Sequence, residues 1–492
     1  MSEVLRREAE VTLADWTNAG EGWTCLPYMA SFGVTSLPAD WKALLSGRYA
    51  VLLESGRTGN LTMAIPQSEE VRVYDQDGRV TSYQAGGGYE VGRENPLDFL
   101  RHYSQTVRAP KFAGWPAFQG GWALLLAYEL VGAYEPVKLL DCHPAAPRAV
   151  LFDAREVLVF DHQKKTLTVV VLCQTAHADA KIWQQARERA EVLAHAWSVA
   201  LKAPPPTLPV RTASAVPREL SLSEAAFTQA VQRCQAYIAA GDTYQVNLST
   251  RFEVPSVDAD QAYAWLRAHN PSPYMGLIRY PGGNLVCGSP ELLVQVSDGK
   301  IFSRPIAGTR PRGADEAADL AWAQELAGDT KERAEHLMLV DLLRNDLGRV
   351  AIPGTVTVPE FMTVERYSHV MHLVSQVEGK ISPQSTAADV IRSLFPGGTI
   401  TGAPKVRTMQ IIAELEPVPR GFYTGSMGWL GADGSMALNI IIRSLWSTEG
   451  RTLIQAGAGI VADSVPLREF KESCRKAQAP LMAAIPGTAV SC

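Results

Sequence analysis

No apolar run in this chain is long enough to cross a bilayer, since the nearest, Trp122 to Leu130, is short and carries Glu129. The opening residues, MSEVLRREAEVTLADW, lack the apolar core of a signal segment. Positive charge is not in excess either: 46 Lys and Arg stand against 51 Asp and Glu, for a net charge of −5. That balance argues against a nucleic-acid or anionic-membrane partner, and an anionic ligand would have to be held by local positive contacts. Cysteine is sparse. Its seven positions, Cys25, Cys142, Cys173, Cys234, Cys287, Cys474 and Cys492, are odd in number and without metal-ligand spacing. Thiolate metal centres and a disulfide framework are thereby disfavoured, and a cytoplasmic protein is expected. Internal repeats and low-complexity tracts are also missing.

The chain does have ample material for a core. Its 492 residues are 46 % hydrophobic and 20 % charged, the balance of a soluble globular protein. The length suggests about two to four domains. The proline run APPPTLPV follows a long Ala-rich helix predicted over about 177–201 and cannot continue it. We therefore divide the chain into an N-terminal region, 1–201, a linker, 202–216, and a C-terminal region, 217–492. The stretch 148–173 predicts two strands, VLVF and LTVVVL, joined by a turn around His162 to Lys165. After the linker, Ser221 and Glu224 have capping-box spacing, and the helix they open should bury Phe227, Val231, Cys234 and Ile238 and stop at Gly241. In YQVNLS, Tyr244, Val246 and Leu248 alternate with Gln245, Asn247 and Ser249, as on a half-buried strand. Further strands are expected at 284–287, 291–296, 370–377, 439–446 and 453–456. Strands and helices mixed in this way predict an α+β protein on large, mostly antiparallel sheets.

The stretch 328–349, GDTKERAEHLMLVDLLRNDLGR, predicts a helix. Glu335, Leu339, Leu342 and Asp346 lie on one stripe, which places a carboxylate at each end of an apolar face. The last helix, beginning near Ser464 and Pro466, carries Glu469, Glu472 and Lys476 on one side, where the two acids repel unless a cation lies against them. If Glu335 meets that pair, an oxygen-only cluster results, which suits a hard cation such as Mg²⁺. Gly457, Ala458 and Gly459, just before the last helix, would let the backbone approach an anion. The stretch FPGGTITGAPK, 395–405, offers similar ingredients with a lysine added. Arg443 interrupts an apolar run and should meet an anion, whether structural or substrate. His372, between Val370 and Val374, reads on its own as a core histidine.

Long ordered motifs carry a resemblance. GDTYQVNLS, SPELL, PIAGTRPRG, EHLMLVDLLRNDLGR, HVMHLVS, FPGGTITGAPKVR, GAGIVADS and REFKESCRKA, all within about 220–485, closely resemble the chorismate-utilising enzymes. The N-terminal part is similar more loosely, through LLES and FQGG. The resemblance implies the fold of anthranilate synthase component I, a sandwich-like core of large sheets flanked by helices. It also implies chorismate bridged by Mg²⁺, with Glu335 and Glu472 as metal ligands and Glu469 in support. Tyr423, Arg443 and the amides of Gly457, Ala458 and Gly459 would hold the substrate carboxylates, with Lys476 nearby. Thr309 and Thr399 would line the pocket, His372 would sit beside the ring, and Glu291 would be the general acid for the C4 hydroxyl, which requires a raised pKa.

Gln245 stands where the isochorismate- and salicylate-forming relatives carry a water-activating lysine. Its amide cannot be that base, so ammonia is the implied nucleophile. No set of Cys, His and Glu for glutamine hydrolysis stands out, which implies a separate glutamine amidotransferase subunit. YQVNLS and FPGGTITGAP resemble the branch that aminates C4 and keeps the enolpyruvyl group, aminodeoxychorismate synthase component I. Ala307 resembles instead the branch that aminates C2 and eliminates pyruvate, anthranilate synthase component I, because many members of the first branch have a nucleophilic lysine there. We expect the first. LLES and NPSPYM resemble tryptophan-binding segments of the second, so Ser55, Pro273, Tyr274 and Met275 would line an amino-acid pocket. A non-catalytic amino-acid sensor would be expected to have lost metal-site carboxylates; Glu335, Glu469 and Glu472 are all retained.

Overall fold

A computed structural model describes residues 5–34, 36–45, 47–55, 61–140, 146–206, 219–366 and 370–485. Two large antiparallel sheets dominate it, one of 13 strands and one of 12. Phe32, Leu52, Leu277 and Ile454 of the first sheet share one buried cluster with Ala123, Phe152, Met427 and Trp429 of the second, so the sheets pack face to face. Helices cover the outer faces. Ala180–Ala200, Glu224–Ala239 and Pro466–Ala484 lie against the first sheet. Thr330–Gly348 and Ala387–Leu394 join Leu124, Leu151 and Leu438 of the second sheet in another buried cluster. Strands covered on both sides read as unbroken apolar runs; GWALLL, Gly121–Leu126, is buried at every position. The expected α+β class is the observed one.

Both regions of the chain contribute strands to both sheets. Ala50–Glu54 pairs with Tyr274–Tyr280 in the first sheet, and Gly121–Leu126 pairs with Ser426–Gly431 in the second. The division at 202–216 is thus one of chain, across which the sheets are continuous; 207–216 lie outside the described residues.

Several local expectations change. The stretch 148–173 holds three strands, because Ala149–Ala154 precedes the predicted pair Glu156–Asp161 and Thr166–Cys173. The helix Glu224–Ala239 is capped by Ser223, whose hydroxyl accepts from the Ala226 amide, while Ser221 Oγ accepts from the Arg251 amide at 2.8 Å. Tyr244 is 71 % exposed and does not share the buried face of Val246 and Leu248. The polar face of that strand, Gln245–Pro255, is itself buried: Ser249 bonds to Glu416 and Gln455, and Asn247 Nδ2 to the Thr399 carbonyl. The strand expected at 439–446 is two strands in different sheets, Met436–Asn439 and Ser444–Thr448, with Arg443 between them at φ +53°. Glu291 lies just outside its predicted strand, in the matching passage from Gly283–Ser289 in the first sheet to Leu292–Ser297 in the second.

Candidate active site

These two passages between the sheets are the frame of the site, and they are bonded to each other. The Ile440 amide donates to the Glu291 carbonyl at 3.0 Å, the Gly288 amide donates to the Arg443 carbonyl at 3.2 Å, and the Ser289 hydroxyl donates to the Ile440 carbonyl. Glu291 and Arg443 are thereby held at one seam. The Glu291 carboxyl is buried in a small cavity beside Leu339, Leu343, Thr399 and Ile440. Leu339 and Leu343 belong to the helix Thr330–Gly348; Leu339, from the apolar stripe read in the sequence, and Leu343 beside that stripe desolvate an acid on another element, while Leu342 of the stripe lines a different hollow. Burial pushes the Glu291 carboxyl up to about 7, with Thr399, Lys476 and Arg443 acting in the opposite direction. Burial also lowers the Arg443 guanidinium, and Glu291 partly offsets that shift.

Gln245 and Asn247 project from the adjoining strand onto Arg451–Ile460, whose Gly459 stands opposite Asn247. A Cβ on Gly459 would lie 2.4 Å from Gln245 Nε2, and one on Gly457 would lie 2.9 Å from Asn247 Oδ1. The glycines were expected to admit a ligand to the backbone; in this structure they first make room for these two amide side chains. Lys476 Nζ donates to the Gly457 carbonyl at 3.2 Å and pairs with Glu472 at 2.8 Å. Neighbouring strand Ser444–Thr448 pairs with this strand only as far as Ile454, so among the described residues no strand pairs with Gly457, Ala458 and Gly459 on that side.

His372 lies opposite Thr309 in the pairing of Val370–Lys380 with Ile306–Pro311, which is irregular between Ala307 and Thr309. Its Nδ1 is 3.0 Å from the Gly308 carbonyl, an acceptor, and 3.1 Å from Thr309 Oγ1, so Nδ1 carries the proton. Burial lowers the His372 pKa, with Arg443 lowering it further, and the ring is neutral at neutral pH. Ala307 presents only a methyl group.

Glu335 faces Glu469 and Glu472 across the gap between the helices Thr330–Gly348 and Pro466–Ala484. Burial raises the Glu335 pKa, and Glu332, Glu469 and Glu472 raise it further; Glu469 is likewise raised by burial and by Glu472. Lys331 lies 3.8 Å from Glu335 and Lys476 lies 2.8 Å from Glu472. Among the described residues no three His, Cys, Asp or Glu side chains stand close enough together to ligate one ion. The donor set nonetheless fits a hard cation in its chemistry: three carboxylates, two of them, Glu335 and Glu469, raised by burial and by neighbouring carboxylates, with lysine ammonium groups beside the cluster. The acid at the other end of the apolar stripe has a different use. Asp346 pairs with Lys405 at 2.7 Å, so the lysine of FPGGTITGAPK braces a helix rather than offering itself to a ligand.

Sequence reasoning missed a pair beneath the site. Arg420 and Glu416 are buried and joined by two bonds, Nε to Oε2 at 2.9 Å and Nη2 to Oε1 at 2.7 Å. Arg420 also donates to the carbonyls of Ile400, at 2.9 Å, and Asn247, at 2.7 Å, while Glu416 accepts from the amide and hydroxyl of Ser249. The loop of Thr399 and the strand of Gln245 are thus tied to one guanidinium, which also stands 5.6 Å over the Tyr423 ring. An arginine in the turn-like PVPRGFY, four residues after Glu416, was the available signal.

Of the amino-acid pocket residues, Met275 stands opposite Glu54 at one end of an antiparallel pair, so Ser55 and Tyr274 come next at that same end, with Pro273 beside Tyr274 in sequence. Glu54 accepts from Tyr263 Oη at 2.5 Å and Arg267 Nε at 2.9 Å. No helix among the described residues is long and apolar enough to cross a membrane.

The comparisons agree with this fold. Residues 48–482 match the model of the chorismate binding enzymes, and the chain belongs to that family. It is 42 % identical over 440 residues to aminodeoxychorismate synthase component 1 of Bacillus subtilis, covering 89 % of this chain and 92 % of that protein. It is also 42 % identical over 450 residues to anthranilate synthase component 1 of Streptomyces coelicolor, covering 88 % and 85 %. The crystal structure of anthranilate synthase component I from Streptococcus pneumoniae superposes with a TM-score of 0.72 at 31 % identity, over 87 % of this chain and 93 % of that one. This chain is a chorismate-utilising enzyme whose relatives divide between two reactions.

Proposed function

We propose that this chain is the chorismate-aminating component of an aminodeoxychorismate synthase. The observation that carries the reading is a neutral amide, Gln245, on the strand whose Asn247 bonds to Thr399, with Thr399 lining the cavity of a buried carboxyl, Glu291, held at about 7. An amide does not activate water by taking its proton, whereas a carboxyl half-protonated near neutrality can give a proton to a departing hydroxyl. Ammonia forms the new C–N bond at C4, the C4–O bond breaks, the hydroxyl leaves as water with the Glu291 proton, and the surplus proton on nitrogen passes to solvent. Arg443, Lys476 and the edge at Gly457, Ala458 and Gly459 hold the two carboxylates, Tyr423 and Thr399 close the walls, and neutral His372 packs beside the ring with Thr309. Glu335, Glu472 and Glu469 would hold Mg²⁺, which when bound neutralises carboxylate charge and orients the substrate. With Ala307 in place of a nucleophile, no bond to the protein forms. Ammonia is supplied by a partner glutamine amidotransferase subunit; the relatives' designation as component 1 supports a second component. The product feeds 4-aminobenzoate and folate synthesis in the cytoplasm.

One observation favours a second reading. Ala307 leaves no group at the strand irregularity beside His372 to attack the ring, as C2 amination by ammonia with loss of pyruvate would also require. Purified protein with chorismate, Mg²⁺ and an ammonium salt separates the two. Aminodeoxychorismate without pyruvate supports C4 amination; anthranilate with stoichiometric pyruvate overturns it in favour of C2. The amino-acid pocket at Ser55, Pro273, Tyr274 and Met275 is tested by calorimetric titration with tryptophan, whose failure to bind removes that assignment.

A further inference from the structure

Two side-chain oxygens on one strand face, Gln245 Oε1 and Asn247 Oδ1, are buried with no hydrogen-bond partner among the described residues. Residues two apart on a strand project to the same side, so these are neighbours. Buried acceptors are costly to leave unmade, and two together mark a place where a donor belongs. The side chain of Asn247 is oriented: its Nδ2 donates to the Thr399 carbonyl at 3.4 Å, which turns Oδ1 away toward Gly457. Its backbone is pinned by Arg420, which donates to the Asn247 carbonyl at 2.7 Å.

The donor is not supplied by chorismate. Its two carboxylates are acceptors and belong to Arg443 and Lys476, and its single hydroxyl belongs to Glu291 and Thr399. A small molecule with several N–H donors and no need of charge pairing fits what remains. We propose that Asn247, together with Gln245, forms a subsite that holds the ammonia molecule before it attacks, each amide oxygen accepting one N–H bond. Amide oxygens accept without giving up a proton, so the nitrogen lone pair stays available to carbon. This inference rests on the ammonia-using reading above and adds to it a nucleophile-binding role for Asn247.

The test compares Asn247→Val with Asn247→Thr, which have nearly the same shape and differ by one hydroxyl. Ammonium chloride is titrated at saturating chorismate and Mg²⁺ at fixed pH, and chorismate is titrated at saturating ammonium. Losing one buried bond to the nucleophile should raise the half-saturating ammonium concentration about tenfold in Asn247→Val. Asn247→Thr should recover part of that loss, and chorismate half-saturation should change less than about twofold in both. Equal ammonium curves for wild type and Asn247→Val, or a rise confined to chorismate, overturn the subsite. Should Asn247→Val lose its cooperative thermal transition, Asn247→Ala against Asn247→Ser poses the same question. Absence of any ammonium-dependent product from the wild type would sink the ammonia reading and the subsite with it, whereas product from the wild type with indifferent variants sinks the subsite alone.

Discussion

Two Glu and Arg combinations inside this protein, Glu416 with Arg420 and Glu291 with Arg443, behave in opposite ways. Glu416 and Arg420 touch through two bonds, their remaining polar atoms meet Ser249, Asn247 and Ile400, and the arginine pKa is raised with the nearby Glu416 charge as a cause. Glu291 and Arg443 form no ion pair within 4.0 Å among the described residues, and each shifts toward its neutral form, the acid to about 7 and the arginine downward. Both acids are buried, Arg420 is buried and Arg443 only partly covered; direct contact separates the two pairs most sharply. A charge buried with its partner braces the structure, while one buried without contact stores a driving force that a substrate can use. The braced pair ties down the strand of Asn247 and the loop of Ile400 that line the site.

The largest effect expected from breaking the unbraced side is Glu291→Gln. If this carboxyl protonates the leaving hydroxyl, kcat should fall about 10²–10⁴-fold with the thermal transition unchanged, and retention of more than a tenth of wild-type kcat would remove it from that role. Glu335→Gln comes next. It should cost at least about 100-fold in turnover and raise the Mg²⁺ concentration needed, because a donor of the proposed ligand set is lost; an unchanged Mg²⁺ titration would argue against the metal site. On the braced side, Glu416→Gln leaves Arg420 buried and uncompensated, which should cost about 3–5 kcal/mol of stability in a denaturant melt. A loss below about 1 kcal/mol would show that the pair is not the cement described.

The smallest effect sharpens the comparison by pH. Because the folded pKa of Glu291 is raised, its protonated form is complete below the ordinary carboxylate range and is lost as pH rises through about 7. At saturating free ammonia the rate should therefore decline about tenfold per unit above that value, whereas the stability tied to the neutral carboxyl should decline between the ordinary carboxylate range and about 7 and level off above it. In Glu291→Gln both dependences should vanish. A rate that keeps rising through pH 8 in the wild type would mean that Glu291 is not the acid.

Much of the fold was legible because its signals are local. The helix Thr330–Gly348 showed its apolar spacing, and the strands buried on both faces showed their unbroken apolar runs. Where a polar partner decides, local pattern misled. Ser221 has capping-box spacing with Glu224, yet Arg251 claims its hydroxyl and Ser223 takes the cap. The run NIIIRSLW reads as one strand, but its middle passes between two sheets, which no periodicity within eight residues can announce.

For the site, the sequence by itself determined which chemical groups are available: the carboxylates at 291, 335, 469 and 472, the cations at 443 and 476, an amide at 245 and a methyl at 307. Those choices set the family and the class of substrate, because they are properties of side chains. What the tertiary structure alone decided is the state of those groups. Leu339 and Leu343, far from Glu291 in sequence, make it an acid near neutrality. Arg420 pins the Asn247 backbone, and two glycines on the next strand receive the Gln245 and Asn247 side chains. The reason is that desolvation and hydrogen-bond completion depend on what surrounds a group from every direction, and in this chain those surroundings are gathered from segments more than a hundred residues apart.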